Sequence, residues 1–254
     1  MAELDYRLDG AVATLTLNRP TVRNALDGAT LIALSSALDQ AEREARVIVL
    51  TGAGDRVFCA GADLAAVAID ADARAEVVRG YGALLQRMLM VQRPVIARIN
   101  GHCLAGGVGL MLAADLAVMV EDAQLFLPEA AVGLWPMMVG ALLLRDLPRK
   151  RALELALTGR RLSAAEAADW GLVNQVVPAS GLDAAVGLLA GRVATMGPAA
   201  LRLGRSAWSD SLSRDPRGAL PALADALVTV MLTDDATEGT LAFFQKRPPE
   251  WNDR

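Results

Sequence analysis

Alternation of apolar and polar positions opens the chain. Residues 6–9 and 12–17 read as short strands around a turn at Asp9-Gly10, and Asn18-Arg19-Pro20 closes the second. Helical spacing follows. Leu31, Leu34 and Leu38 recur on one face and Asp27 stands where an N-cap belongs, which predicts a helix to about residue 45. The apolar run 46–51 (RVIVLT) reads as a strand buried on both faces, ending at Gly52-Ala53-Gly54. A helix over about 74–91, a strand over 94–99, a helix over 106–114 and strands over 116–120 and 124–127 continue the pattern. From Pro136 onward the spacing is mostly helical, with breaks near Pro148, residues 158–163, residues 177–181, Gly197-Pro198 and Pro216. Strands alternating with helices predict an α/β fold with parallel pairing. Residues 1–197 are expected to form the core and 198–254 a C-terminal helical region. The segment 220–244 is apolar enough to need a partner surface.

Composition narrows this picture. At 254 residues the chain suits one large domain with at most a small appendage. It is 54% hydrophobic but only 4% aromatic, so Ala, Leu and Val must build the core. A net charge of −4 and a pI near 5.1 argue against a nucleic-acid surface. The basic clusters Arg149-Lys150-Arg151 and Arg160-Arg161 sit beside expected helix ends, where solvated cations are ordinary. Mean hydropathy is positive, at +0.34. Yet the longest stretches free of charge, 99–114 and 130–144, carry several glycines and fall short of the ~18 residues that span a bilayer. The start of the chain carries acids and lacks a basic segment before an apolar one, unlike a secretory signal. Cys59 and Cys103 form no disulfide framework. The expectation is a cytoplasmic protein with no membrane partner.

The chemistry centres on two stretches. Phe58-Cys59-Ala60-Gly61-Ala62-Asp63-Leu64 and Asn100-Gly101-His102-Cys103-Leu104-Ala105-Gly106-Gly107 each place small residues and glycine after a strand-like run. Both can bring backbone N–H groups close to a ligand, and two such donors aimed at one point make an oxyanion hole. Other chemistries fail on residue type. The single histidine, His102, excludes a His-rich metal site. His102 and Cys103 point to opposite faces if a strand runs through them, so they form no dyad. Gly52-x-Gly54-x-x-Val57 lacks the last glycine of a dinucleotide fingerprint, and Gly101-x-x-x-x-Gly106 lacks the Lys-Ser/Thr of a P-loop. No cofactor and no metal is expected. Glu129 follows Pro128 after a strand and opens a charge-free run. Two readings fit it: a desolvated carboxylate tuned for proton transfer, or a glutamate in the first turn of a helix, stabilised by the dipole.

The chain resembles the crotonase (enoyl-CoA hydratase/isomerase) superfamily along nearly its whole length. The resemblance rests on Asn18-Arg19-Pro20 with Arg23-Asn24-Ala25-Leu26, the two glycine-rich stretches, Pro128-Glu129 with Gly133-Leu134, the segment AAEAADWGLVNQVV from Ala164, and Glu238-Gly239 with Ala242-Phe243-Phe244-Gln245-Lys246-Arg247. It implies a spiral of ββα units whose C-terminal helices mediate homotrimers, often paired into hexamers. It also implies an acyl-CoA substrate, with coenzyme A part of that substrate. Resemblance puts the oxyanion-hole N–H groups at Ala60 and Gly106 and the general acid/base at Glu129. Ala60, Gly61, Ala62 and Asp63 would contact the ligand. Arg23, Phe243 and Lys246 are candidates for touching the CoA portion, the last two across a subunit interface. Trp135, just after Glu129, falls near the acyl end of the pocket or in plain core. The departure is at Gly109, where hydratases of the family carry a second glutamate. One carboxyl suits double-bond migration, in which a single base moves a proton from C2 to C4. Hydration of a 2-enoyl-CoA is the alternative, with a carboxylate near residues 70–76 replacing the missing one. A non-catalytic acyl-CoA binder, or hydrolysis or decarboxylation of a CoA thioester, also fits the residues.

Overall fold

A computed structural model describes residues 3–63, 71–212 and 214–253. The first strands are β1 (Leu4–Asp9) and β2 (Val12–Leu17), an antiparallel pair. Along β2, Ala13, Leu15 and Leu17 are fully buried while Thr14 and Thr16 are half-exposed, as the alternation requires. Helix α1 (Gly28–Glu44) starts at Asp27, whose Oδ1 accepts the Thr30 N–H at 2.8 Å. It buries Leu31, Leu34, Leu38 and Ala41. Three turns of a spiral follow, each built from a longer strand, a short strand and a helix. The first is β3 (Val47–Gly52), β4 (Val57–Cys59) and α2 (Ala71–Met90). The second is β5 (Val95–Ile99), β6 (His102–Leu104) and α3 (Gly106–Ala113). The third is β7 (Leu116–Val120), β8 (Gln124–Phe126), a 3-10 turn (Glu129–Val132) and α4 (Met137–Asp146).

The longer strands build a six-stranded sheet in the order β1-β2-β3-β5-β7-β10, where β10 is Gln175–Val177. The short ones build a second sheet, β4-β6-β8-β9, where β9 is Leu162–Ser163. Every pairing is parallel except β1 with β2 and β8 with β9. Two asparagines bind the corners between the sheets. Asn24 Nδ2 donates to the carbonyls of Ala53 and Val57, and Asn100 Nδ2 to that of Gly54. The short strands β4 and β6 are absent from the periodicity, because three residues carry too few positions to show a period of two. They exist through cross-strand pairing, Val57 with His102 and Cys59 with Cys103.

The remaining helices are α5 (Arg149–Thr158), α6 (Ala164–Asp169), α7 (Leu182–Ala194), α8 (Pro198–Ser211), α9 (Pro216–Met231) and α10 (Asp234–Gln245). The main core runs from Ala13 to Ala190, and α8, α9 and α10 pack on one another. Ion pairs and one indole fasten this last group to the core: Arg205 to Asp115 (2.7 Å), Arg93 to Asp253 (2.6 Å), and Trp251 Nε1–H to the Thr195 carbonyl (2.9 Å). Among the described residues no single helix is long and apolar enough to cross a membrane.

Candidate active site

The two glycine-rich stretches meet where β4 and β6 run out. Ala60 continues the line of β4 and gives its N–H to the Arg23 carbonyl at 3.1 Å. That corrects the expectation that Ala60 supplies an oxyanion donor: its amide is already spent on the neighbouring loop. Gly61 then takes φ +82, a left-handed conformation open to glycine, and turns the chain. Leu26 N–H donates to the Gly61 carbonyl (2.8 Å) and Asp63 N–H to the Leu26 carbonyl (2.9 Å), a parallel bridge centred on Ala62. In such a bridge the central residue turns its own N–H to the opposite side. Ala62 is exposed, and no acceptor among the described residues takes its amide. Gly106, the first residue of α3, is half-buried, and no acceptor among the described residues takes its amide either. The two backbones touch, for a Cβ on Gly61 would sit 2.7 Å from Gly106 N. Both amides are thus available, among the described residues, to an anionic oxygen, the second from the positive end of a helix.

Ala105 aims the second of these amides. It stands before α3 at φ 48 and ψ −123, a conformation that strains any residue with a Cβ. Its N–H is tied to the Phe126 carbonyl (3.1 Å) and its carbonyl takes the Val108 N–H (3.0 Å), so its neighbours enforce the strain. Ala105→Gly is therefore expected to raise stability by up to about 1 kcal/mol, as strain relief outweighs the added freedom of the unfolded chain. Chemical denaturation reads this, and a loss of stability would show that Ala105 is unstrained.

Glu129 opens the 3-10 turn after Pro128, so in position it is the first-turn glutamate of one sequence reading. Its environment fits the other. The Oε2 atom is buried with no hydrogen-bond partner among the described residues. Burial raises the carboxyl above its ordinary value, and a hydrogen bond from its own N–H offsets only part of this. A carboxyl raised in this way holds its proton less reluctantly than a solvated one, which suits a group that must both take and return a proton.

Sequence reasoning passed over Tyr81. It lies on α2 in a buried stripe with Leu84, Leu85 and Met88. Its hydroxyl donates to the Gly106 carbonyl at 2.6 Å. A methyl group on Gly109 would overlap that hydroxyl, and Val139 closes the other side at 3.2 Å. The glycine where a second carboxylate was expected is thus filled from another helix. The apolar stripe of α2 was the available signal, but nothing in the sequence says which helix α2 faces.

The other expected site residues are scattered. Asp63 is paired with Arg19 (3.2 Å), which also holds Asp27 (3.0 Å) and Glu3 (2.7 Å), so it fastens the loop. Arg23 is exposed in a left-handed turn and lines a groove of about 670 Å³ with Arg56 and His102. That groove does not include Glu129. Trp135 follows the Glu129 turn and is 40% exposed. Phe243 and Lys246 belong to α10 and its C-cap, both exposed, and Phe243 lines an apolar groove with Phe244 and Trp251. No residue of that groove comes from the loops around Glu129. Of the proposed replacement carboxylates, Asp72 and Glu76 are exposed on α2, and Asp70 lies outside the described residues. His102 Nδ1 accepts the Gln124 N–H at 3.1 Å and ties β6 to β8. Burial pushes the Cys59 thiol up to about 12 and the Cys103 thiol well above its ordinary value, so both stay protonated.

Solved structures share this architecture. Enoyl-CoA hydratase from Bacillus anthracis superposes with a TM-score of 0.95 at 35% identity, covering 99% of this chain and 100% of that one. Human enoyl coenzyme A hydratase domain-containing protein 3 does so with 0.93 at 31%, covering 98% and 100%. The fold is that of the enoyl-CoA hydratases. A sequence model described as enoyl-CoA hydratase/isomerase matches residues 7–254. The carnitinyl-CoA dehydratase of Proteus mirabilis is 36% identical over 252 residues, 96% of each chain, and that of Salmonella typhi 36% over 253 residues, 97% of each. The chain belongs to the enoyl-CoA hydratase/isomerase family, within the crotonase superfamily.

Proposed function

We propose that this protein is an acyl-CoA enzyme that moves a double bond in an enoyl-CoA with a single carboxyl, Glu129. The Glu129 carboxylate takes a proton from C2 of a 3-enoyl thioester. The electron pair moves onto the thioester oxygen, held by the N–H groups of Ala62 and Gly106. The protonated Glu129 then returns the proton to C4 and the double bond closes between C2 and C3. The observation that carries this reading is the part-buried Glu129 carboxyl, whose Oε2 has no hydrogen-bond partner among the described residues, together with a glycine at 109 whose space is already filled. The Ala62 and Gly106 amides, which no acceptor among the described residues takes, support the enolate.

Hydration of a 2-enoyl-CoA, or dehydration of a 3-hydroxyacyl-CoA, is the second reading. It is favoured by relatives named hydratase and carnitinyl-CoA dehydratase. There Glu129 would have to activate the water and also deliver the C2 proton. A panel of 2-enoyl- and 3-enoyl-CoA thioesters of varied length, assayed for both migration and hydration, separates the two. Migration faster than hydration is expected, and hydration without migration would overturn the preference.

Coenzyme A is part of the substrate in this reading, with Arg23 and its groove as candidates for the nucleotide end. A homotrimer, or a hexamer of two trimers, is the assembly we favour. Its support is the exposed apolar face of the last helices, where Leu232, Phe243 and Phe244 are each more than three-quarters exposed. Phe243 and Lys246 would reach the substrate across that interface. A cytoplasmic location belongs to the same proposal.

A further inference from the structure

Tyr81 has no part in the scheme above, yet it touches Gly106, the residue that carries one of its two amides. The ring end lies against the Gly106 α-carbon, since a Cβ there would meet Tyr81 Cζ at 3.2 Å and Oη at 3.3 Å. The hydroxyl proton goes to the Gly106 carbonyl. Burial first, then the neighbouring thiols and the Glu129 charge, hold the phenol well above its ordinary value. Tyr81 therefore stays neutral and cannot serve as a second base. Its single proton is committed to Gly106, so it acts through that residue. The stripe of Tyr81, Leu84, Leu85 and Met88 fixes where the ring ends. On the far side, the Ala105 N–H is pinned to β8. The peptide carrying the Gly106 amide thus lies between two fastened neighbours, the Gly106 carbonyl held by α2 and the Ala105 N–H held by the second sheet, and Ala105 keeps a strained conformation that would otherwise relax.

We propose that Tyr81 is a positioning residue of the enolate site: its hydroxyl, bonded to the Gly106 carbonyl and lying over Gly109, holds the Gly106 amide on the thioester oxygen and occupies the space of a second carboxyl. This rests on the reading of Glu129 and the two amides given above. It explains why the chain carries glycine at 109, because any side chain there displaces the clamp.

The test reads enolisation alone. Butyryl-CoA is saturated and cannot isomerise or hydrate, but Glu129 can take its C2 proton and return a deuteron from D2O. Mass spectrometry follows the exchange, and calorimetry gives the Kd of the same thioester. Tyr81→Phe is expected to slow exchange about tenfold, near the upper end of what one net hydrogen bond supplies, while Kd changes less than twofold. Gly109→Ala is expected to slow exchange and lower the melting midpoint when Tyr81 is present, and to recover that midpoint when combined with Tyr81→Phe. Wild-type exchange in Tyr81→Phe overturns the proposal, as does a parallel loss of exchange and binding. Should Tyr81→Phe not fold, wild-type exchange in Gly109→Ala overturns it. Glu129→Gln separates this inference from the one beneath it. If that variant exchanges at the wild-type rate, the reading of Glu129 fails. If it is silent and Tyr81→Phe is normal, only the role of Tyr81 fails.

Discussion

Glu129→Gln should lower kcat on the preferred enoyl-CoA by about 10²–10⁴-fold, the range general acid–base catalysis supplies. The substitution keeps shape and removes the base, so KM should change little. Nothing else described in the site can take over. Tyr81 is held neutral, both thiols stay protonated, and Asp72 and Glu76 face solvent. The pH dependence follows from burial. The Glu129 carboxyl is raised above 4.5, so the base is lost as pH falls through that raised value. The acid limb of kcat/KM should inflect above 4.5 and vanish in the variant. Stability responds with the opposite sense. Between 4.5 and the raised value the folded protein holds the extra proton, so stability falls as pH rises through this window. Glu129→Gln should remove that fall, which denaturation at pH 4 and pH 7 will show. A variant with wild-type turnover would sink the assignment.

The second large effect is expected at Gly61. An alanine there must adopt φ +82 and drive its Cβ to 2.7 Å from Gly106 N and 2.8 Å from the Ala105 Cβ. Neither neighbour is the free end of a flexible side chain. The left-handed conformation costs about 1 kcal/mol, and the overlap adds about 1–3 kcal/mol. Activity should suffer more than stability, because the methyl group crowds the Gly106 amide. Loss of one such donor lowers kcat by about 10²–10³-fold. Gly10→Ala is the control. Gly10 also has positive φ (+55), but a Cβ there meets nothing within 4 Å. It should lose about 1 kcal/mol and no activity. Similar kinetics for the two variants would show that the approach of Gly61 to Gly106 is not part of the catalytic geometry.

Much of the spiral was legible because its longer elements carry their own signals. The run Val47–Gly52 is buried throughout, and Asp27 caps α1 at the residue expected. The short strands β4 and β6 were not legible. Three residues have no period, and what makes them strands is a partner more than forty residues away. The same distinction runs through the site. The sequence pointed to the loop at 60–63 and to Gly106, but put the first donor at Ala60. Which amide is bare depends on which one the Arg23 carbonyl takes, and that is a contact between remote segments.

Residue types and their order alone determined the family, the α/β class, the two glycine-rich loops and the single carboxyl at Glu129. These are properties of the chain that need no neighbour to be read. Only the tertiary structure decided that, among the described residues, the Ala60 amide has an acceptor and the Ala62 amide has none, that Glu129 keeps a buried oxygen without a partner there, and that Tyr81 fills the space over Gly109. Each is set by how α2, α3 and the second sheet pack. Hydrogen-bond partners and buried volume arise between segments distant in sequence, where neither periodicity nor motif spacing carries information.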